Sequence, residues 1–209
     1  MHFIRYYSEE IYSVITLFFL TLSAIFVTPA HLAQQLALAY ALAFLLHEWE
    51  ENVYPGGFVD MMVGEVMHAD VAVTTEGKKT SRIYVDFLIL VYVLVPYFLP
   101  EHLWLILPAL YLGFLEGIVH TASIRIFKLH RRYTPGMLTA MLMFALSAFA
   151  LALVVQSGAV EGWQYAVGAL LLVATFVPIQ RQVVRTNGMK YRDLPKMIRA
   201  NLRRVHGMK

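Results

Sequence analysis

Residues 137–155 read MLTAMLMFALSAFALALVV, a run without a single charged side chain. Its apolar residues do not keep to one helical stripe but occupy every face. With its flanks the run approaches the ~20 residues that a helix needs to cross a bilayer. Working outward, the same pattern recurs at Ile11–Val27, His31–Leu46, Tyr84–Leu99, Leu103–Val119 and Trp163–Val177. Turn chemistry separates the runs, at Thr28-Pro29, Pro55-Gly56-Gly57, Pro100, Pro135-Gly136 and Ser157-Gly158. The expected fold is all-α, a polytopic membrane protein built as a bundle of six transmembrane helices over residues 1–185. Residues 186–209 are expected to form a basic cytoplasmic tail.

Composition agrees. The chain has 209 residues, 59% hydrophobic and 15% charged, against ~45–50% and ~25% in soluble domains. Mean hydropathy is +0.60. These values exclude disorder, collagen-like repeats and a nucleic-acid-binding arm. The absence of cysteine excludes disulfides and thiolate metal sites. Arg5 precedes the first run, as in a signal peptide. That run is long for such a segment and lacks a small-residue cleavage site, so it is expected to stay as a helix.

The basic residues set the orientation. Arg5 precedes the first span, and Lys78, Lys79 and Arg82 lie between the second and third. Arg125, Lys128, Arg131 and Arg132 lie between the fourth and fifth, and the remaining basic residues, from Arg181 to Lys209, follow the sixth. The other three loops hold none. The positive-inside rule then puts both termini in the cytoplasm. The expected location is the inner, cytoplasmic membrane of a bacterium, with the lipid bilayer as partner. The tail is expected to touch anionic lipid. With Tyr191 its sole aromatic residue, it does not read as a nucleic-acid module. Between the second and third spans, roughly residues 56–75, a moderately apolar stretch carries Asp60, Glu65, His68 and Asp70. It is expected to lie at the interface as a short amphipathic helix.

The second span ends in His47-Glu48-Trp49-Glu50-Glu51. Acidic residues there face the negative end of the helix dipole. They also lie at or near membrane depth, where ionisable groups are expensive and usually functional. His47 pairs with Glu51 at i,i+4 and with Glu50 at i,i+3, so the three can share a face. In the fourth span Glu116 and His120 repeat the i,i+4 spacing. Depth can be reckoned at ~1.5 Å per residue: His47 lies ~24 Å into its span, Glu116 ~21 Å and His120 ~27 Å. Both spans run inward, so the two pairs are level at the cytoplasmic side. Gly113 and Gly117 permit close helix approach there. Imidazoles and carboxylates at one level suit a metal, and His47, Glu50, Glu51, Glu116 and His120 are the expected ligands. Asp86, His68, Asp70 and His130 form a second rank, as ligands, outer partners or proton carriers. The alternative is a buried Glu116–His120 hydrogen bond with the other acids solvated.

The His47–Glu51 segment, followed by Pro55-Gly56-Gly57-Phe58, resembles the HXXEE domain family of bacterial integral membrane proteins. Tyr133-Thr134-Pro135-Gly136-Met137-Leu138-Thr139 is similar to that family's Tyr-x-Pro-Gly-x-x-Thr segment, and His120 lies upstream of it. The resemblance spans roughly the second to fifth helices. The family commonly has Asn four residues before that His; this chain has Glu116, which adds a carboxylate. Because the family is largely of unknown function, the resemblance supports a site and not a reaction.

Three function classes follow. The first is a metal-dependent intramembrane enzyme of the di-iron oxidase or oxygenase type, since carboxylate-rich bundle sites of that kind project Glu and His inward. Its substrate would be amphipathic or lipid-like and enter from the cytoplasmic leaflet. Tyr133 and His130 would position substrate or carry protons, and Arg131 or Arg132 would hold an anionic head group. Iron, as one ion or two, is the favoured metal, with Zn or Mn as alternatives. With no flavin or nicotinamide signature, redox chemistry would need an external electron donor. The second class is an intramembrane zinc hydrolase with a Glu as general base. The third is a non-enzymatic membrane transport or structural protein.

Overall fold

The computed structural model describes residue 3 and residues 7–26 and 31–208. Arg5, the Thr28-Pro29 break and Lys209 lie outside the described residues. In chain order the helices are α1 (Ser8–Phe26), α2 (Leu32–Asn52), α3 (Phe58–Met61), α4 (Thr75–Phe98), α5 (Leu107–Ile126), α6 (Met137–Ser157), α7 (Gly162–Thr186) and α8 (Leu194–His206). There is no strand among the described residues.

A long helix occupies each of the six apolar runs. Five are long and apolar enough to cross a membrane: α1, α4, α5 with the 3-10 turn from Leu103 before it, α6 and α7. The architecture is consistent with a multi-pass membrane protein. α2 is the exception on hydropathy, because Gln34, Gln35, His47, Glu48, Glu50 and Glu51 dilute its apolar residues. Its position accounts for that composition. It is packed by protein on several sides, with Ala33, Ala37, Tyr40, Ala41 and Phe44 all nearly inaccessible.

Helix contacts close a ring. α2 packs on α4, α4 on α7, α7 on α5, α5 on α6, and α6 back on α2. α1 stands outside this ring against α2 and α4. The outer faces of α6 and α7 expose Leu138, Leu142, Phe149, Trp163, Leu170 and Val173, an apolar surface suited to lipid. Gly113 and Gly117 serve the α5–α6 contact. A Cβ on Gly113 would lie 2.3 Å from Ser147 Oγ, and one on Gly117 2.7 Å from Phe144 Cβ. Hydrogen bonds cross the ring where lipid offers no alternative partner. Tyr40 Oη pairs with Ser147 Oγ at 2.8 Å, and the Tyr92 and Thr175 hydroxyls pair between α4 and α7.

Polar helix ends extend past the apolar runs. α4 begins at Thr75, well before Tyr84, because Thr74 caps it by accepting from the Gly77 N–H at 3.0 Å. The interfacial helix expected over residues 56–75 is shorter than its composition suggested. It consists of α3 and a π-helical turn, Met62–Val66, with no helix over 67–74. The basic tail folds back as α8 instead of trailing. Asn201 Nδ2 donates to the Glu65 and Val66 carbonyls at 2.8 Å each, and His206 Nε2 donates to the Ile126 carbonyl at 2.9 Å. Arg82 reaches the Asn52 carbonyl and Ser81 reaches Thr186. These ties gather the C-terminal ends of α2, α5 and α7, the N-terminal end of α4, and α8 at one end of the bundle. The described basic residues therefore collect at that end.

Candidate metal centre

The site lies inside the ring at this basic end. α2 and α5 are not a closely packed pair; they face each other across the ring, and long side chains bridge the gap. Ligand-capable atoms of His47, Glu51, Glu116 and His120 all lie within 4.8 Å of one another. His120 Nε2 is 2.8 Å from Glu51 Oε1, and His47 Nε2 is 3.4 Å from the same oxygen. Glu116 Oε2 sits 3.8 Å from His120 Nε2 and 3.9 Å from His47 Nε2. Two donors bound at ~2.1 Å to one ion would be about 3.0–3.4 Å apart, for angles between square and tetrahedral. The observed separations bracket that range, so side-chain adjustment without a change of fold would close the four donors around an ion. Two carboxylates also match the charge of a divalent cation.

Local structure aims these groups. Successive helical residues are ~100° apart, so His47 and Glu51 point together while Glu48 and Glu50 diverge to either side. Both imidazoles are held from behind. His47 Nδ1 lies 3.0 Å from Thr139 Oγ1, and His120 Nδ1 lies 3.0 Å from Thr134 Oγ1. The Thr139 hydroxyl donates to the Glu50 carboxylate, which can only accept. Its oxygen therefore receives the Nδ1–H of His47. Thr134 likewise donates to the His120 carbonyl at 3.3 Å and accepts from Nδ1–H. Each ring then presents an Nε2 lone pair to the centre, the tautomer that a metal needs. Phe58, delivered by the turn at Pro55-Gly56-Gly57, stacks on His120 at 4.6 Å between centroids. His47 is 2% exposed and His120 0%.

Gly136 fills the gap between the two facing helices. Its φ is +86°, and a Cβ there would lie 2.5 Å from Glu51 Cγ, 2.8 Å from His120 Cε1 and 3.1 Å from His47 Cε1. It is also the N-cap position of α6, where it has no side chain to cap with. Glu50 supplies the cap from α2. Its carboxylate accepts from the Leu138 N–H at 3.1 Å, the Thr139 N–H at 2.7 Å, and the Thr139 and Tyr133 hydroxyls. A carboxylate at a helix N-terminus is favoured by the dipole as well.

This geometry corrects several sequence expectations. Glu50 is not in the tetrad; its oxygens are taken up by α6. The Tyr133 hydroxyl donates to the Glu50 carboxylate. His130, His68 and Asp70 are exposed and outside the cluster. Asp86 belongs to a different group, with Glu9 and Glu48. Arg131 pairs with Glu65, and Arg132 is exposed. The cations that line the neighbouring cleft are Lys78 and Arg82. That cleft encloses about 1020 Å³ including its open mouth. Phe58, Met62, Leu88, Phe176 and Ile179 contribute apolar walls, and His47, Glu51 and Glu116 contribute the polar part. Sequence reading passed over Thr134, Thr139 and Gly136 as individual actors, although their position in one short segment with Tyr133 was a usable signal.

These features define a class: an all-α, multi-pass bundle with a buried His/Glu cluster inside its helix ring. Residues 38–151 match the family model described as a protein of unknown function with HXXEE motif. That is more than half of the chain, and the chain belongs to this family. The match runs from α2 into α6 and takes in the whole tetrad, Glu50, Tyr133 and Gly136. No curated protein and no solved structure matches the chain.

Proposed function

We propose that this protein is a metal-dependent enzyme of the cytoplasmic membrane, with both termini cytoplasmic, acting on an amphipathic or lipid-like substrate. His47, Glu51, Glu116 and His120 hold one divalent ion. The observation that carries this reading is the pair of threonine hydroxyls behind the two imidazoles. They hold both Nε2 lone pairs toward two carboxylates, with the imidazoles buried and the carboxylates partly open to the cleft. A stabilising His–Glu hydrogen bond would need one such arrangement, not two converging ones.

Two imidazoles with carboxylate donors and room for further ligands suit Fe(II), with Mn next. The tetrad supplies donors for one ion rather than two, since Glu50 caps α6. The reaction class is O2-dependent oxidation of the substrate: O2 takes up four electrons, two from the substrate and two from an external donor, and its oxygen leaves as water or enters the product. The cleft supports a substrate with an acyl-like body, because its apolar walls lead to the tetrad and Lys78 and Arg82 share its lining. A zinc hydrolase is the second reading, and one distance favours it. Glu116 stands farthest from both imidazoles, so His47, His120 and Glu51 could bind Zn while Glu116 acts on bound water as general base.

Elemental analysis and a visible spectrum of the detergent-purified protein test the reading. The expected result is about one transition metal per chain, lost in His47→Ala and His120→Ala while the protein still inserts. Iron would give visible or paramagnetic signatures and zinc neither. Equal, trace metal in wild type and both variants would overturn the assignment and leave a structural role.

A further inference from the structure

A second group of ionisable side chains lies where α1 meets the ring. Glu9 of α1, Glu48 of α2 and Asp86 of α4 each place a carboxylate oxygen within 4.8 Å of the other two. They are 3%, 4% and 6% exposed. Glu48 Oε2 has one partner, Asn52 Nδ2 at 2.9 Å. Both oxygens of Glu9 and Oδ1 of Asp86 have none. Among the described residues the nearest cation, Arg82, stops 3.9 Å from Glu9 Oε2 and commits its other terminal nitrogen to the Asn52 carbonyl. Among the described residues, three carboxyl groups share one guanidinium in this buried place.

Tyr12 is an independent sign. Its side chain is 2% exposed, its hydroxyl has no partner beyond the neighbouring Thr16 hydroxyl, and it lies within electrostatic reach of Glu48, Asp86 and Glu9. The hydroxyl of Ser8 on α1 is likewise buried without a partner. Native proteins leave few such groups, and a bound ion or water commonly explains them. Here the unpartnered oxygens belong to the helix that carries Glu9 and to the cluster itself.

We propose that Glu9, Glu48 and Asp86, with the Tyr12 hydroxyl, form an oxygen-only site for a hard divalent cation, separate from the His/Glu tetrad. Donor chemistry sets the class of ion. Carboxylate and hydroxyl oxygens without nitrogen or sulfur suit Ca²⁺ or Mg²⁺ and not a softer metal. Donor atoms that all lie within 4.8 Å of one another can close around an ion with bonds of ~2.4 Å, within the Ca²⁺ range. The ion links one residue from each of α1, α2 and α4. It therefore fastens the one long helix that stands outside the ring, next to the turn of α2 that carries His47.

Calorimetric titration of the chelator-treated, detergent-purified protein with Ca²⁺, and separately with Mg²⁺, tests this site. One saturable site is expected in the wild type, and equally in the His47→Ala/His120→Ala double variant. Asp86→Asn and Glu9→Gln should each weaken it at least tenfold. Tyr12→Phe removes one hydroxyl, preserves packing, and should weaken it several-fold without altering the metal held by the tetrad. Addition of the ion should raise the wild-type Tm and leave that of Asp86→Asn unchanged. Absence of saturable binding in the wild type would overturn the site. So would binding that survives Asp86→Asn and Glu9→Gln, or that disappears with the two histidines.

Discussion

Gly136→Ala separates the geometry of the tetrad from general stability. The new Cβ would stand 2.5 Å from Glu51 Cγ and 2.8 Å from His120 Cε1. Carbon atoms rest at ~3.5 Å or more. Glu51 must therefore retreat by about 1 Å, and the His120 ring by rather less. Metal–ligand bonds tolerate only ~0.2 Å, so at least one donor is lost from the centre. Disturbing even an outer partner of a metal site costs ~10–100-fold in affinity. The expected loss is at the upper end or beyond, near 100-fold, which corresponds to about 2.7 kcal/mol. A separate cost comes from the left-handed backbone, about 1–2 kcal/mol for a residue with a Cβ. Gly57→Ala isolates that second cost. Its φ is +92° and nothing lies within 4 Å of the added Cβ. Both variants would be purified in detergent, and their metal affinity measured by competition with a chromophoric chelator. Gly136→Ala should lose the metal while Gly57→Ala keeps it, with similar backbone strain in each. Wild-type affinity in Gly136→Ala, or an equal loss in Gly57→Ala, would refute the reasoning.

Other perturbations read other parts of the site. Glu50→Gln should keep metal stoichiometry but lower thermal stability by ~1.5–3 kcal/mol, the range for hydrogen bonds to a charged group; loss of the metal in a folded variant would restore Glu50 as a ligand. Thr139→Val should weaken metal binding ~10–100-fold by releasing His47 Nδ1, and Thr139→Ser should recover most of it, as chelator competition will report. A reporter active only outside the cytoplasm, fused to the C-terminus, should give no signal; activity there would invert the orientation and with it the leaflet from which the cleft is reached.

The long helices were legible because each apolar run is too long and too uniform for a soluble helix. α2 was readable for a different reason. Its polar C-terminal turn is tolerable only inside protein, and the structure puts it there. What the residues alone did not show is the ring. Apolar pattern identifies spans but not which of them touch, so the facing of α2 and α5 across an interior could not be read. Local polar extensions were hidden for a related reason. The start of α4 depends on the Thr74 cap, and the docking of α8 depends on Asn201, neither of which carries a hydropathy signal.

The candidate site was legible to the extent that helical spacing governs it. The i,i+4 spacing joins His47 with Glu51 and Glu116 with His120, and equal depth sets the two pairs level; that they meet needs the facing of α2 and α5, which the ring supplies. Glu48 and Glu50 show where that logic ends. Within one turn of α2 the three glutamates face three environments, and the fate of each is decided by what lies opposite. Glu51 meets His120 and Glu116. Glu50 meets the N-terminal amides of α6, because Gly136 must lack a side chain to fit against the tetrad and so cannot cap its own helix. Glu48 meets Glu9 and Asp86. The Glu50 cap and the Gly136 gap are thus one arrangement. The glycine that lets the ligands converge creates the unsatisfied amides that hold the neighbouring carboxylate away from them. That coupling gives the His-x-x-Glu-Glu turn a physical reason for two adjacent acids, one facing the centre and the other holding α6, whose Thr139 orients His47.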